Sequence, residues 1–473
     1  MSASTPIILQ SCLPNSDTTP DCACPIRPVV RPQSTALAGS IKYRLVDDVH
    51  VSPLTHDWTM YCNPLAGGSP AVLNRAAEQR LNSFHSERLL NDLTDRQLAE
   101  AQLIAPSIAQ QPQDPMTPAV LTAWIHVTNA CNLACPYCYV RKSSSRMTLA
   151  TGKKAIDALI ATALEEGFTA IKLKYAGGEA ALHYRMVIQL HAYAVQQTGS
   201  HGLALEAVVL SNGTSMPLEF ADWLVESNTQ LMISVDGVGA DHDQQRPLRG
   251  GAGGAFAALE ANLIERLLPR SLRPMVSITI TGRNAARAYE VVRWAIGYGL
   301  PFSLNFYREN DQSVGFKDLR YEEQQIIAGM LAAYAVVEEL LPITPFLNGL
   351  LDRVQAEAHD HTCGVGQSYV VITHEGKVAQ CQMDLVHAQP FGPMDNLIPL
   401  VSGGFIHNRS VAEKQGCREC EWRYRCAGGC PLVTLRATGR TDIKSPNCAI
   451  YTALMPAALR LEGLRILKVN SMG

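Results

Sequence analysis

The segment AWIHVTNACNLACPYCY, Ala123 to Tyr139, decides how the rest of the chain is read. Its first six residues, AWIHVT, read as a strand. Just past the strand end, Cys131, Cys135 and Cys138 follow in a Cys–x3–Cys–x2–Cys pattern. Three thiols is the informative number. A structural zinc closes with four ligands, whereas a reactive centre keeps one position open. Iron–sulfur clusters are held by cysteine thiolates at such short spacings. A cubane held by three thiolates leaves one iron free for an exogenous ligand.

Outward from this segment, strand and helix alternate from residue 120 to about 310. A helix carrying Ile156, Leu159, Ile160, Ala163 and Leu164 leads to the strand AIKLKYA. A helix through Met186–Ala194 leads to EAVVLSNG, and one around Leu218–Val225 leads to LMISVDG. A Gly-rich loop then enters a helix at Phe256–Leu267. The strand MVSITIT, a helix through Tyr289–Ile296 and the strand FSLNFY complete six βα units. Such alternation predicts an α/β fold with a parallel sheet and right-handed crossovers, here a partial (β/α)6 barrel. In parallel barrels the chemistry sits at the C-terminal strand ends. The cysteines follow the first strand, Gly177, Gly178 and Glu179 the second, Ser211 and Asn212 the third, and Ser234 closes the fourth.

CNLACPYCY resembles the signature of radical S-adenosylmethionine (SAM) enzymes, whose fold is the six-unit partial barrel. The resemblance implies that Cys131, Cys135 and Cys138 hold a [4Fe-4S] cluster whose free iron chelates SAM. Reductive cleavage of SAM then yields a 5′-deoxyadenosyl radical that takes hydrogen from a substrate. Gly177, Gly178 and Glu179 match the family's GGE element. There the glycines allow close backbone approach and the carboxylate accepts a hydrogen bond from the methionine ammonium. Ser211, Asn212 and Ser234 lie where ribose and methionine carboxylate would be recognised. DHDQQRPLRGGAGG resembles the HDxxR loop of one subgroup, which makes Arg246 a cofactor candidate. Tyr139 is placed to pack near the adenine.

Seven further cysteines close the chain: Cys363, Cys381, Cys417, Cys420, Cys426, Cys430 and Cys448, with Gly376 between the first two. The string is similar to the seven-cysteine SPASM domain, a C-terminal extension that carries two auxiliary [4Fe-4S] clusters. By that family's interleaved ligation, Cys417, Cys420, Cys426 and Cys448 would hold the outer cluster. Cys363, Cys381 and Cys430 would hold the inner one, which is left one thiolate short. Substrate, water or a side chain such as Asp384 or His374 would fill that position. Enzymes that mature sulfatases carry a basic aspartate directly after the cysteine corresponding to Cys381. Here Gln382 stands there, and Asp384, two residues on, is the candidate catalytic base; the alternative is a solvated loop carboxylate.

Residues 1–40 are rich in Pro, Ser and Thr without period and are expected to form a mobile, disordered tail. From 41 to 115, KYRLV, HVSPL, WTMYCN and AVL read as strands. NRAAEQRLNSFH and TDRQLAEAQLI read as helices, the second capped by Thr94 or Asp95. This order, with MYCNPLAGGSPAVLNRAAEQRL, resembles a RiPP recognition element. That small winged-helix-like module binds the leader of a ribosomally made, post-translationally modified peptide as an added strand. Cys12, Cys22, Cys24 and Cys62 match no role in these resemblances. Gln110–Pro118 reads as a linker, 119–310 as the barrel, 311–358 as a helical bridge built on the amphipathic segment 321–341, and 359–473 as the SPASM domain.

A net charge of −3 gives no electrostatic case for nucleic acid or membrane partners. No apolar run reaches the length of a membrane span, and no basic stretch followed by an apolar one opens the chain, so the cytoplasm is expected. Clustered thiols in such a chain point to metal rather than disulfides. The expected function is oxidative modification of a precursor peptide, with a flavodoxin- or ferredoxin-type electron donor. The resulting crosslink would be a thioether or a carbon–carbon bond. Sulfatase-type protein maturation is the alternative within the family, and a zinc-binding interaction protein the alternative outside it.

Overall fold

The computed structural model describes residues 5–10, 27–28, 41–65, 70–107, 119–251 and 253–472. Cys12, Cys22, Cys24 and the expected linker at 110–118 lie outside them.

Six parallel strands stand side by side in chain order: Val120–Thr128, Ala170–Gly177, Ala204–Ser211, Gln230–Ser234, Met275–Ile280 and Phe302–Phe306. The first strand is buried along its length after Val120, which is why it reads as a near-continuous apolar run. A helix separates each strand from the next. Leu149–Glu166 shows how local signals set one: the Thr148 hydroxyl accepts from the Thr151 N–H at its start. Gly167 ends it in the left-handed conformation at φ 76°. Its Ala155, Ile156, Leu159 and Ala163 face the core.

The expected boundary near residue 359 does not separate two sheets. Tyr369–Ile372 pairs in parallel with the first strand, and Lys377–Ala379 and Gln389–Pro390 continue the same sheet antiparallel. The cysteine-rich end is therefore built directly onto the strand that precedes Cys131.

The expected bridging helix is present as Glu323–Leu340. At Gly329 a Cβ would stand 2.1 Å from the Ala285 carbonyl oxygen, so glycine permits the helix to lie against that turn. On its other side runs the last helix, Cys448–Ser471.

The four N-terminal strands form as expected but divide between two sheets. Lys42–Leu45 lies between Arg88–Leu89 and Ile104–Pro106. His50–Pro53, Trp58–Cys62 and Ala71–Asn74 make an antiparallel sheet that packs on the last helix. Helices Arg75–Asn82 and Leu93–Glu100 follow. The second is capped by Asp92, whose side chain accepts from the Asp95 N–H, rather than by Thr94 or Asp95. Asp95 instead takes a buried pair of hydrogen bonds from Arg80, each 2.6 Å. Two pieces of the segment 1–40, expected as a mobile tail, are tied into sheets: Ile8–Leu9 pairs with Ala71–Asn74, and Arg27–Pro28 with His359–His361. Main-chain pairing with a strand far along the chain leaves no periodic trace in so short a segment.

Among the described residues no helix is long and apolar enough to cross a membrane.

Candidate active site

The C-terminal ends of the six strands surround a cavity of about 250 Å³. Cys131, Cys135 and Cys138 line it, together with Tyr139, Gly177, Gly178, Glu179, Ser211, Asn212, Ser234 and Arg246. Every cofactor residue expected from the sequence thus reaches one space.

The GGE element holds the cysteine loop through its backbone. The Gly178 N–H donates to the Thr128 carbonyl at 2.6 Å, and the Glu179 N–H to that of Ala130 at 2.8 Å. A Cβ on Gly177 would lie 2.4 Å from Thr128 O, and one on Gly178 would lie 2.3 Å from Ala130 O. No side chain fits between these backbones. Gly178→Ala is expected to push the Cys131 loop outward, costing about 1–3 kcal/mol of stability. Iron retained per chain should fall with it, read by denaturation and iron assay. Unchanged iron content would contradict the assignment.

Glu179 lines the cavity and also braces the strand ends. Its carboxylate is buried and already accepts from the Ala181 N–H, the Ser211 hydroxyl and the Asn212 N–H at 3.0, 2.7 and 2.6 Å. Burial raises its pKa while these donors pull it back. Three of about four acceptor positions are taken. The residue therefore ties the second strand end to the third through Ser211 and Asn212. Asn212 in turn donates to Asn132 at 2.9 Å and turns its Nδ2 toward the Cys131 sulfur at 3.9 Å.

Arg246 is buried and donates through Nε to Asp236 Oδ2 at 2.7 Å. The Tyr137 hydroxyl donates to the same oxygen, and the guanidinium lies 5.4 Å from the Tyr137 ring centre. Asp236 Oδ1 accepts from the Thr279 N–H at 2.7 Å. The Asp236 carboxylate therefore joins the cysteine loop, the fourth and fifth strand ends and the HDxxR-like loop. It lies in the SVDG segment, two residues beyond Ser234, where its acidic side chain is the signal that the sequence offers. Tyr137, Lys142, Ser277, Thr279, Ser303 and Asn305 also line the cavity; only their place in the fold reveals them.

The residues fit an iron–sulfur cluster. Three sulfurs face a cavity, Lys142 Nζ lies 2.8 Å from the Cys138 sulfur, and the Leu133 N–H points at the Cys131 sulfur at 3.4 Å. Donors of this kind surround cluster thiolates. Burial pushes the Cys135 thiol up to about 12, with Arg246 pulling it back, and raises Cys131 as well. Metal coordination would deprotonate such thiols outright. Among the described residues no three His, Cys, Asp or Glu side chains converge as one bare ion requires.

At the other end Cys417, Cys420, Cys426 and Cys448 together line a separate small cavity of about 20 Å³. Cys363 and Cys381 belong to a different apolar cluster, with Cys430 against it. The geometry thus divides the seven as four and three. Cys430 lies beside Arg308 and Arg353. Burial raises its thiol, but the two guanidiniums outweigh burial and hold it below the ordinary thiol value. Both arginines, with Gln382 and Met383, reach the cavity at the strand ends. Cys62 stands apart from both sets, buried, its sulfur 3.3 Å from Arg425 Nη2.

Asp384 is not the solvated carboxylate that the sequence allowed. It is 5% exposed and pairs with His387 Nδ1 at 2.6 Å. Burial raises its pKa, and His387 and Arg436 counter this. It lines a second, outer cavity of about 440 Å³, not the one beside Cys131. His374 lines the outer cavity too, its ring 5.9 Å from that of His126. Tyr139, Val140, Gln382 and Met383 border both cavities, which are therefore adjacent.

Residues 125–314 match the family model described as the Radical SAM superfamily, so this part of the chain is a radical SAM domain. The radical SAM fold binds SAM and a [4Fe-4S] cluster. Among its relatives is the sporulation killing factor maturation protein SkfB of Bacillus subtilis, 28% identical over 180 residues, which are 38% of this chain and 40% of that protein. The first two curated relatives are matched over 60% and 40% of their own lengths. The structure resembles anSMEcpe with bound AdoMet and Cp18Cys peptide, with a TM-score of 0.58 and 18% identity, over 75% of this chain and 100% of that one. It also resembles Streptococcus suis SuiB bound to precursor peptide SuiA, with a TM-score of 0.51 and 12% identity, over 86% of this chain and 99% of that one. At these identities both likenesses concern the fold.

Proposed function

We propose that this enzyme is a cytoplasmic peptide maturase that oxidatively crosslinks a ribosomally made precursor. The observation that carries the reading is that the cavity lined by Cys131, Cys135 and Cys138 adjoins a second cavity of about 440 Å³, with Tyr139, Val140, Gln382 and Met383 lining both. SkfB, named as a maturation protein, and the peptide-bound anSMEcpe and SuiB structures support a peptide substrate.

When bound, SAM and the cluster at Cys131, Cys135 and Cys138 supply a radical that removes hydrogen from a substrate carbon. The chain's own groups position and shield that event. Gly177, Gly178 and Glu179 fix the cysteine loop, and Asp236 locks Arg246 and Tyr137 beside it. Ser234 presents its hydroxyl at the fourth strand end, with Asn212 near Cys131. Cys417, Cys420, Cys426 and Cys448 would hold one auxiliary [4Fe-4S] cluster, and Cys363, Cys381 and Cys430 the other, as in SPASM domains. These would accept the electron left after bond formation. Asp384, backed by His387 in the outer cavity, is placed to take a proton from the peptide. Residues 41–107, with two small sheets and two helices, would hold the leader in the manner of a RiPP recognition element. A flavodoxin or ferredoxin would provide the reducing electron.

Co-expression with a short peptide encoded beside this chain tests the reading by mass spectrometry. A loss of two hydrogens, about 2 Da, is expected. An unmodified peptide together with turnover of a folded protein substrate would favour the sulfatase-type alternative, although Gln382 occupies the position of that group's aspartate.

A further inference from the structure

Lys414 lies between the two C-terminal cysteine sets and is 1% exposed. Its Nζ donates to the Ala427 carbonyl at 2.7 Å and approaches Thr362 Oγ1 at 3.5 Å. Thr362 is itself anchored to the carbonyls of Ala427 and Gly429 at 2.9 and 2.7 Å. The lysine backbone is part of the same structure: its carbonyl accepts from the Cys417 and Arg418 N–H groups at 3.1 and 3.2 Å. Gly428, at φ 78°, makes room for the side chain. A Cβ there would stand 2.7 Å from Lys414 Cδ, 3.1 Å from its Nζ and 3.2 Å from the Cys417 sulfur.

A buried ammonium ordinarily has a carboxylate partner, because removing a charge from water is costly unless it is paired. Among the described residues Lys414 has no carboxylate within ion-pair distance. The titratable groups it faces are His359 and cysteines from both sets: Cys417 and Cys426 of the four, Cys363 and Cys430 of the three. Neutral thiols would leave this cation uncompensated. Thiolates bound to iron would compensate it from both sides.

We propose that Lys414 is the shared counter-charge of the two auxiliary clusters, held between them so that both accept an electron more readily. This rests on the auxiliary-cluster reading above. Reduction adds negative charge to a cluster, and a fixed cation in a low-dielectric interior stabilises the reduced form. Lys414 acts through the cysteine sets and touches neither SAM nor substrate; it is a positioning residue.

The test compares the anaerobically reconstituted full chain with K414M and K414R by iron assay and EPR-monitored redox titration. K414M is expected to keep its iron. Both auxiliary signals should require at least a tenfold larger reducing ratio, about 59 mV for a one-electron couple. The cluster at Cys131, Cys135 and Cys138, whose neighbouring cation is Lys142, should titrate as before. K414R should restore the auxiliary signals. Unshifted auxiliary signals in fully loaded K414M overturn the proposal while leaving the clusters in place. Loss of auxiliary iron from K414M with retention in K414R supports the counter-charge, and loss from both overturns it in favour of a packing role. Wild-type protein with about four irons instead of about twelve would remove the auxiliary-cluster reading itself, a failure distinct from the others.

Discussion

Asp236→Ala is expected to lower folding stability by about 3–5 kcal/mol, the usual consequence of leaving one member of a buried ion pair unpaired. The side chain of Asp236 is fully buried and that of Arg246 is 10% exposed, so solvent offers little compensation. The loss is larger than one ion pair implies, because the carboxylate also receives the Tyr137 hydroxyl and the Thr279 N–H. Those donors come from the cysteine loop and the fifth strand end, so SAM cleavage should fall with stability, by at least ~100-fold. A double substitution separates the two effects. Asp236→Ala with Arg246→Met removes both charges and should recover much of the stability, yet not the cleavage activity. Denaturation curves and 5′-deoxyadenosine release measure the two outcomes. Additive losses in the double variant would show that the pair is not coupled.

That carboxylate also shows where sequence reading stops. The six-strand order was legible because each strand is a short apolar run and each intervening helix carries its own 3.6-residue stripe. The cysteine loop, the GGE turn and the later strand ends were legible because parallel sheets gather such ends on one side. Partnerships made across the fold were not. Asp236 and Arg246 are ten residues apart, but a charge in a turn reads as solvated until its burial is known. Nothing in the residues around Lys414 marks it as buried. The pairing of Tyr369–Ile372 with Val120–Thr128 joins segments some 250 residues apart, and neither segment specifies the other. The partners of Glu179 were hidden for the same reason: its neighbours in space are Ser211 and Asn212, which donate to its carboxylate from the next strand end.

The two groups of cysteines should fail differently when substituted. Cys135→Ala is expected to reduce SAM cleavage to background, a loss of at least ~100-fold, and to remove about four of about twelve irons. Cys426→Ala should also lose iron but keep SAM cleavage, while the two-hydrogen loss from the peptide disappears. The reason is spatial. Cys426 shares its cavity with Cys417, Cys420 and Cys448, and that cavity has no lining residue in common with the one at the strand ends. The set of Cys363, Cys381 and Cys430 stands between, reaching the strand-end cavity through Gln382, Met383, Arg308 and Arg353. An electron leaving a peptide at the strand-end cavity would meet this inner set first and the four-cysteine set second. Cys381→Ala should therefore resemble Cys426→Ala in sparing SAM cleavage but also alter the EPR spectrum of substrate-bound enzyme. Iron assay, 5′-deoxyadenosine release and peptide mass, measured on the same three variants, give the comparison. Equal loss of cleavage in all three would mean one inseparable centre. Unchanged iron in Cys426→Ala would mean that the four-cysteine cavity does not hold a cluster.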